Sequence, residues 1–394
     1  MLKDPVVIVS AARTPVGGFQ GELKGFAAPE LGAAAIRAAV ERAKIKPEQI
    51  EEVIMGCVLP AGQGQAPARQ ASLGAGLPLA AGCTTVNKMC GSGMKAAMLA
   101  HDLIIAGSMD VVVAGGMESM TNAPYLMPKA RAGYRMGHQQ VLDHMFYDGL
   151  EDAYEKGRLM GSFAEDCAQK YEFSREAQDQ FAITSLQRAQ KANSEGWFAW
   201  EITPLAIKAG KEERFIETDE QPFKANFAKL PTLKPAFRKD GTVTAANSSS
   251  ISDGAAALVL MRRSNADKLG LAPLATVVGH ATHAQEPALF TTAPVGAIRK
   301  LLEKTNWKAD AVDLYEINEA FAVVAMAAMR EHKLPHEKLN VHGGACALGH
   351  PIGASGARIV VTLIGALRKY GGKRGVASLC IGGGEATAMA IELV

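Results

Sequence analysis

The sequence predicts an α/β fold made of two similar halves, the first of them interrupted by a long insertion. Three observations carry this. Short β-branched runs alternate with stretches of helical spacing, the order of those runs near the start recurs near the end, and residues 119–247 have a different texture. At 394 residues, 48% of them hydrophobic, the chain exceeds one small core, and two or three domains are expected.

Residues 5–10 (PVVIVS) form a buried-strand run, closed by Ala-Ala-Arg-Thr-Pro. Residues 31–44 have helical spacing and stop before Pro47. A strand is expected at 53–55, a helix at 91–106 and a strand at 110–114 (DVVVA), closed by Gly115 and Gly116. The second half replays this order. It has a strand at 274–278, a helix near 295–304, a strand at 313–317, residues 339–344 leading into a Gly-rich turn, and a helix at 356–369. It closes with the strand 376–381 (VASLCI), which runs into Gly382-Gly383-Gly384. Buried strands alternating with helices imply a largely parallel sheet. The domains read as 1–118, resumed by 248–268; an inserted loop domain, 119–247, with helices at 162–170 and 175–192; and 269–394.

Lys+Arg and Asp+Glu nearly cancel, 42 against 40, which argues against a nucleic-acid or membrane surface. No cationic, apolar leader opens the chain at Met1-Leu2-Lys3, and no apolar run is long enough to span a bilayer. A cytoplasmic protein is expected, its six cysteines free thiols.

Cys90 sits where a loop becomes a helix, before Gly-Ser-Gly. Free N–H groups and the positive dipole end favour thiolate there, so a nucleophile is one reading and a small core residue at a tight turn the other. His350, in GHPIG, reads as a functional residue or a satisfied turn histidine. Cys380 ends an apolar strand and is open to a buried, inert reading. Asn318, between a strand and a helix, could equally be an N-cap. What distinguishes the four is shared position: all lie at the strand–helix or strand–loop edges where open α/β sheets place their sites.

Two rival motifs fail on context. Gly91-Ser92-Gly93-Met94-Lys95-Ala96 fits a dinucleotide fingerprint, with Asp110 19 residues beyond Gly91. That acid opens a strand instead of ending one, and a thiol stands where bare backbone is needed. His332 and His336 have metal-pair spacing, but Pro335 breaks the helix between them. No metal site is expected.

Four motifs taken together, NKMCGSG at 87–93, NEAF at 318–321, GHPIGASG at 349–356 and CIGGG at 380–384, resemble the thiolase family, in particular its acetyl-CoA acetyltransferases. The resemblance covers essentially the whole chain. It implies a layered αβαβα fold with duplicated halves, and a reversible Claisen condensation of two acetyl-CoA through an acyl-cysteine. A longer-chain 3-ketoacyl-CoA thiolase of fatty-acid breakdown is the alternative, and a non-catalytic acyl-CoA carrier a distant one. By motif, Cys90 would accept the acyl group, His350 take its proton, and Cys380 move the proton at the α-carbon. His350 and a water on Asn318 would form one oxyanion pocket, and the N–H groups of Cys90 and Gly382 a second. Ser249 matches a pantetheine contact; Phe237, Leu150, Met160, Ala320 and Phe321 match pocket-lining positions. No cofactor is implied beyond coenzyme A thioesters as substrates, and a homotetramer is implied.

The chain departs from the short-chain pattern at Leu159, where a histidine is usual, and at residues 290–294 (FTTAP). An arginine expected near the nucleotide end of CoA is replaced by Phe223 or Lys224. These departures bear on acyl-chain preference and CoA affinity.

Overall fold

The structure, a computed structural model, describes residues 3–209 and 212–394. Met1 and Leu2, which open the stretch read for a leader, lie outside the described residues. Strands β1 (Val6–Arg13), β2 (Glu52–Gly56), β3 (Gly82–Val86), β4 (Val111–Ser119) and β5 (Ser252–Arg262) belong to the first half. Strands β6 (Ala275–Ala284), β7 (Leu314–Ile317), β8 (Arg374–Ile381) and β9 (Glu385–Leu393) belong to the second. They follow the order β7-β8-β9-β6-β1-β5-β4-β2-β3, and the halves join where β1 meets β6 at Val7–Thr276 and Ile8–Ala275. The two halves match strand for strand outward from that seam. The counterpart of β3 is reduced to a single bridge between Leu339 and Tyr315.

The sheet is not largely parallel. Only β2–β3, β2–β4 and β7–β8 pair parallel; β1–β5, β5–β4, β6–β9, β8–β9 and the β1–β6 seam are antiparallel. A strand buried on both faces has the same apolar composition in either orientation, so the sequence signal did not discriminate. Nor do Gly115 and Gly116 end a strand: β4 runs on to Ser119. A Cβ on Gly115 would sit 2.0 Å from the Ala256 carbonyl oxygen, and one on Gly116 2.0 Å from that of Gly353. These glycines permit close approach within a strand.

Alternating side chains on the strands feed three apolar layers. Val7, Val9, Val53, Met55 and Val113 pack under α1 (Ala28–Ala43) and α2 (Pro67–Gly74), on one outer face. Ile8, Ile54, Val112, Leu379 and Met389 point the other way, onto α3 (Ser92–Ala106) and α8 (Ser355–Tyr370), which pack together in the centre. Ile317, Val376 and Ala388 pack under α6 (Ala293–Thr305) and α7 (Ala322–His332), on the far face. The result is the αβαβα layering. Gly107 and Gly371, both at positive φ, terminate the two central helices.

The segment between β4 and β5 holds α4 (Met160–Lys170), α5 (Arg175–Ser194) and two short hairpins. A buried charge cluster fastens it to the sheet. Arg13, at the end of β1, holds Asp219 through two N–H groups at 2.7 and 3.0 Å and Glu201 at 2.5 Å. Removing one partner of such a buried pair costs about 3–5 kcal/mol, because the other charge is stranded. Among the described residues no helix is long and apolar enough to cross a membrane.

Candidate active site

The two central helices begin side by side, and each is preceded by a loop carrying one of the candidate residues. Cys90 precedes α3 and His350 precedes α8, so the duplication places a thiol and an imidazole at one point. The loop before Cys90 turns sharply through Met89, at φ 46°, and α3 starts one residue beyond Gly91. Gly349, at φ 103°, turns the chain into His350; a Cβ there would lie 2.1 Å from Ser252 Oγ. Cys380 is the second-last residue of β8, and Gly382–Gly384 make the tight turn into β9, with Gly383 and Gly384 at positive φ.

These elements enclose a cavity of about 330 Å³ lined by Cys90, His350, Cys380, Gly382, Leu150, Met160, Ser249, Ala320 and Phe321, among others. An adjoining apolar cavity of about 380 Å³ is lined by Phe237 and Leu159 and shares Leu150, Met160, Ser249, Phe321 and His350 with the first. Ser249 is anchored by its Oγ and its N–H, both donating to the Ala320 carbonyl at 3.0 Å. Asn318 lines neither cavity and stands behind His350, its Nδ2 3.4 Å from His350 Nε2. It is not an N-cap: α7 is capped by Phe321, three residues on. Phe290, one of the departures, lines the first cavity and meets Phe163 edge-on at 6.1 Å. Phe223 is exposed, and Lys224 pairs with Glu220.

The hydrogen bonds around His350 fix its tautomer. Nδ1 lies 2.6 Å from Ser355 Oγ, whose own hydrogen goes to the Pro351 carbonyl at 3.0 Å. The proton between the two therefore belongs to Nδ1, and Nε2 carries the lone pair, which faces the Asn318 Nδ2 donor at 3.4 Å. Burial, helped by the nearby Arg358 charge, lowers His350 to about 3, so the ring is neutral. Asn318 Oδ1 is buried without a partner among the described residues, leaving an acceptor beside His350.

Cys90 is pushed up to about 11 by burial, opposed by the N–H groups of Gly382 and of Cys90 itself, which point at the sulfur. Those are two of the donors an oxyanion would need. Cys380 lies well above the ordinary thiol range, first from burial and then from the proximity of Cys90. At neutral pH the resting site holds two thiols and a neutral imidazole, and no standing ion pair.

The sequence reading missed two polar partners. Ser355 lies inside the quoted GHPIGASG motif, which signalled its importance without its role. Glu118, wholly buried, accepts N–H bonds from Val58, Leu59 and Gly353, and burial raises it to about 7. Residues 147–154, which begin in the helical turn Phe146–Leu150, also line the cavity, with no local sequence signal for doing so.

Two thiols and a neutral imidazole in one apolar cavity, on a duplicated αβαβα scaffold, define an enzyme of the acyl-transferring class. The thiolase N-terminal domain model matches residues 6–264 and the thiolase C-terminal domain model residues 271–393. The chain belongs to the thiolase family. It is 51% identical to acetyl-CoA acetyltransferase 2 of Arabidopsis thaliana over 392 residues, covering 99% of this chain and 97% of the relative. It is 50% identical to the acetyl-CoA acetyltransferase of Cupriavidus necator, covering 98% and 99%. The crystal structure of the Bacillus anthracis acetyl-CoA acetyltransferase superposes with a TM-score of 0.96 at 42% identity, covering 99% of both chains.

Proposed function

We infer that this enzyme is an acetyl-CoA C-acetyltransferase, joining two acetyl-CoA reversibly into acetoacetyl-CoA and CoA. The observation that carries the reading is the lining of one cavity by Cys90, His350 and Cys380, with the N–H groups of Cys90 and Gly382 aimed at one sulfur. The names of its full-length relatives supply the substrate.

In the first half-reaction, His350 Nε2 takes the Cys90 proton as the sulfur attacks the thioester carbon. CoA leaves with that proton, and an acetyl-cysteine remains. With both thiols raised, the thiolate forms only during attack. In the second, Cys380 passes its own proton to His350 Nε2 and, as the thiolate, removes a proton from the methyl carbon of a second acetyl-CoA; the resulting carbanion attacks the acetyl-cysteine. Cys90 departs as thiolate and takes the proton from His350 Nε2, while the methyl proton stays on Cys380, so both thiols and the neutral imidazole are restored. Stabilising the enolate oxygen falls to the Nε2–H that His350 gains in this step and to a water on Asn318. The N–H groups of Cys90 and Gly382 serve the oxyanion on the acyl-cysteine, each such donor contributing about 2.7–4 kcal/mol. The atoms balance by proton transfer alone, so CoA thioesters suffice without a further cofactor. Ser249, Leu150, Met160, Phe237, Ala320 and Phe321 form the walls for the pantetheine arm and acyl group.

The test is CoA-dependent thiolysis of acetoacetyl-CoA beside a longer 3-ketoacyl-CoA. The expected result is preference for acetoacetyl-CoA. Preference for the longer substrate would make this a degradative 3-ketoacyl-CoA thiolase whose pocket Leu159 and Phe290 have reshaped. A homotetramer is part of the reading, supported by the exposed Tyr125, Met127, Met136 and Val141 on the insertion; a monomeric mass by light scattering would refute it.

A further inference from the structure

Helix α3 has Cys90 at one end. Towards its other end, His101 and Asp102 face His280 on β6, away from both cavities of the active site. His280 Nε2 lies 2.9 Å from Asp102 Oδ1 and 3.2 Å from His101 Nδ1, and His101 Nδ1 lies 3.1 Å from Asp102 Oδ1. The two imidazoles stand edge to face, centroids 5.0 Å apart at 88°, so their ring edges converge from different directions. Among the described residues this is the one group of three or more His, Cys, Asp or Glu whose ligand atoms gather so closely.

We propose that His101, Asp102 and His280 form a binding site for a divalent transition-metal ion of the zinc type, pinning α3 of the first half to β6 of the second.

The spacing supports this. Three ligands about 2.0–2.1 Å from a tetrahedral zinc ion stand roughly 3.3 Å from one another, and the observed triangle is within a few tenths of that. Hydrogen bonding explains only two of its sides. If both rings donate to Asp102 Oδ1, the third approach, His101 Nδ1 to His280 Nε2, brings two N–H groups together. An ion in the middle turns all three atoms into lone-pair donors, with each ring proton on its other nitrogen. Two imidazoles and one carboxylate suit zinc, cobalt or nickel and not magnesium or calcium, which prefer oxygen alone. The Asp102 side chain is 54% exposed, which leaves a way in for the ion and room for a water at the fourth position.

Cobalt(II) titration of the metal-free, full-length protein followed by absorption tests the proposal. The expected result is one equivalent bound with tetrahedral ligand-field bands in the visible and none of the near-ultraviolet charge transfer a cysteine ligand gives. Removing a ligand should weaken binding at least ~10-fold, the low end of what even an outer partner costs. Both His280→Ala and the near-isosteric Asp102→Asn should show it while retaining thiolysis. No visible bands, bands that persist in both variants, or bands carrying sulfur charge transfer would each overturn it.

Discussion

Gly353 donates its backbone N–H to the buried Glu118 carboxylate at 2.8 Å, tying the loop that carries His350 to the end of β4. The same carboxylate holds Val58 and Leu59, beyond β2, so one side chain fixes the seam between the halves beside the reacting groups. The backbones are in close contact there. A Cβ on Gly56 would lie 2.8 Å from the Gly353 carbonyl oxygen, and one on Gly353 2.5 Å from Glu118 Oε2.

Glu118→Gln should therefore impair catalysis without emptying the pocket. An amide of the same shape offers one acceptor oxygen, so in either orientation its NH₂ meets at least one backbone N–H. Leaving such donors unpaired costs about 1–3 kcal/mol. A displacement of the His350 loop on the order of 1 Å is worth about 10²-fold in rate. The expected outcome is a lower melting temperature and a kcat for thiolysis at least ~10-fold down, with KM little changed. Wild-type kcat in a folded Glu118→Gln protein would show that the clamp does not position His350.

Cys380→Ser should separate the two half-reactions. A hydroxyl is a far weaker base than a thiolate, whereas acylation of Cys90 requires only His350 and the N–H donors. Mass spectrometry after incubation with acetyl-CoA should still find Cys90 acetylated. Thiolysis and condensation should fall by about 10²–10⁴-fold, the range of a lost general base. Retained turnover would remove Cys380 from the mechanism.

Alkylation of Cys90 reports its ionisation in the resting enzyme. Its folded value, about 11, lies above the ordinary 9, so the thiolate fraction grows tenfold per pH unit through neutral pH and well past pH 9. Inactivation by iodoacetamide, prevented by prior acetylation, should rise with that slope and show no plateau near pH 7. A plateau below neutrality would mean a standing thiolate–imidazolium pair.

Much of this site was legible because its residues stand at element junctions, and junctions are marked by glycine and proline whatever the tertiary fold. Cys90, His350, Cys380 and Asn318 were singled out that way, and the repeat explained why they meet; Gly382 came from the resemblance to the thiolase motifs. The antiparallel direction of β5 was not legible, because ten of its eleven residues are buried and no polar face betrays its partners. Gly115 and Gly116 read as punctuation because close approach to Ala256 and Gly353 is a property of the packed state alone. Glu118 escaped for the same reason. A buried carboxylate normally advertises a cation, and its bonded partners are backbone N–H groups, one of them 235 residues away.

His342 supplies a pH-dependent stability test that leaves the chemistry untouched. It is 1% exposed, lies against Trp197, Phe198 and Tyr370, and neither ring nitrogen has a hydrogen-bond partner among the described residues. Burial, then the Lys369 and Arg13 charges, lowers it from 6.5 to about 4. The folded state thus refuses a proton that the unfolded chain accepts. The stability from keeping this ring neutral is intact above pH 6.5 and is lost as pH falls towards 4. The loss runs at about 1.4 kcal/mol per pH unit, or about 3 kcal/mol across that window. His342→Phe fills the same aromatic pocket with nothing to protonate. Its unfolding free energy relative to the wild type should improve progressively from pH 6.5 to 4 and stay level between pH 7 and 8. A difference independent of pH would mean that His342 is protonated as readily in the folded protein as in the unfolded chain, and that its aromatic surroundings place no penalty on the charge.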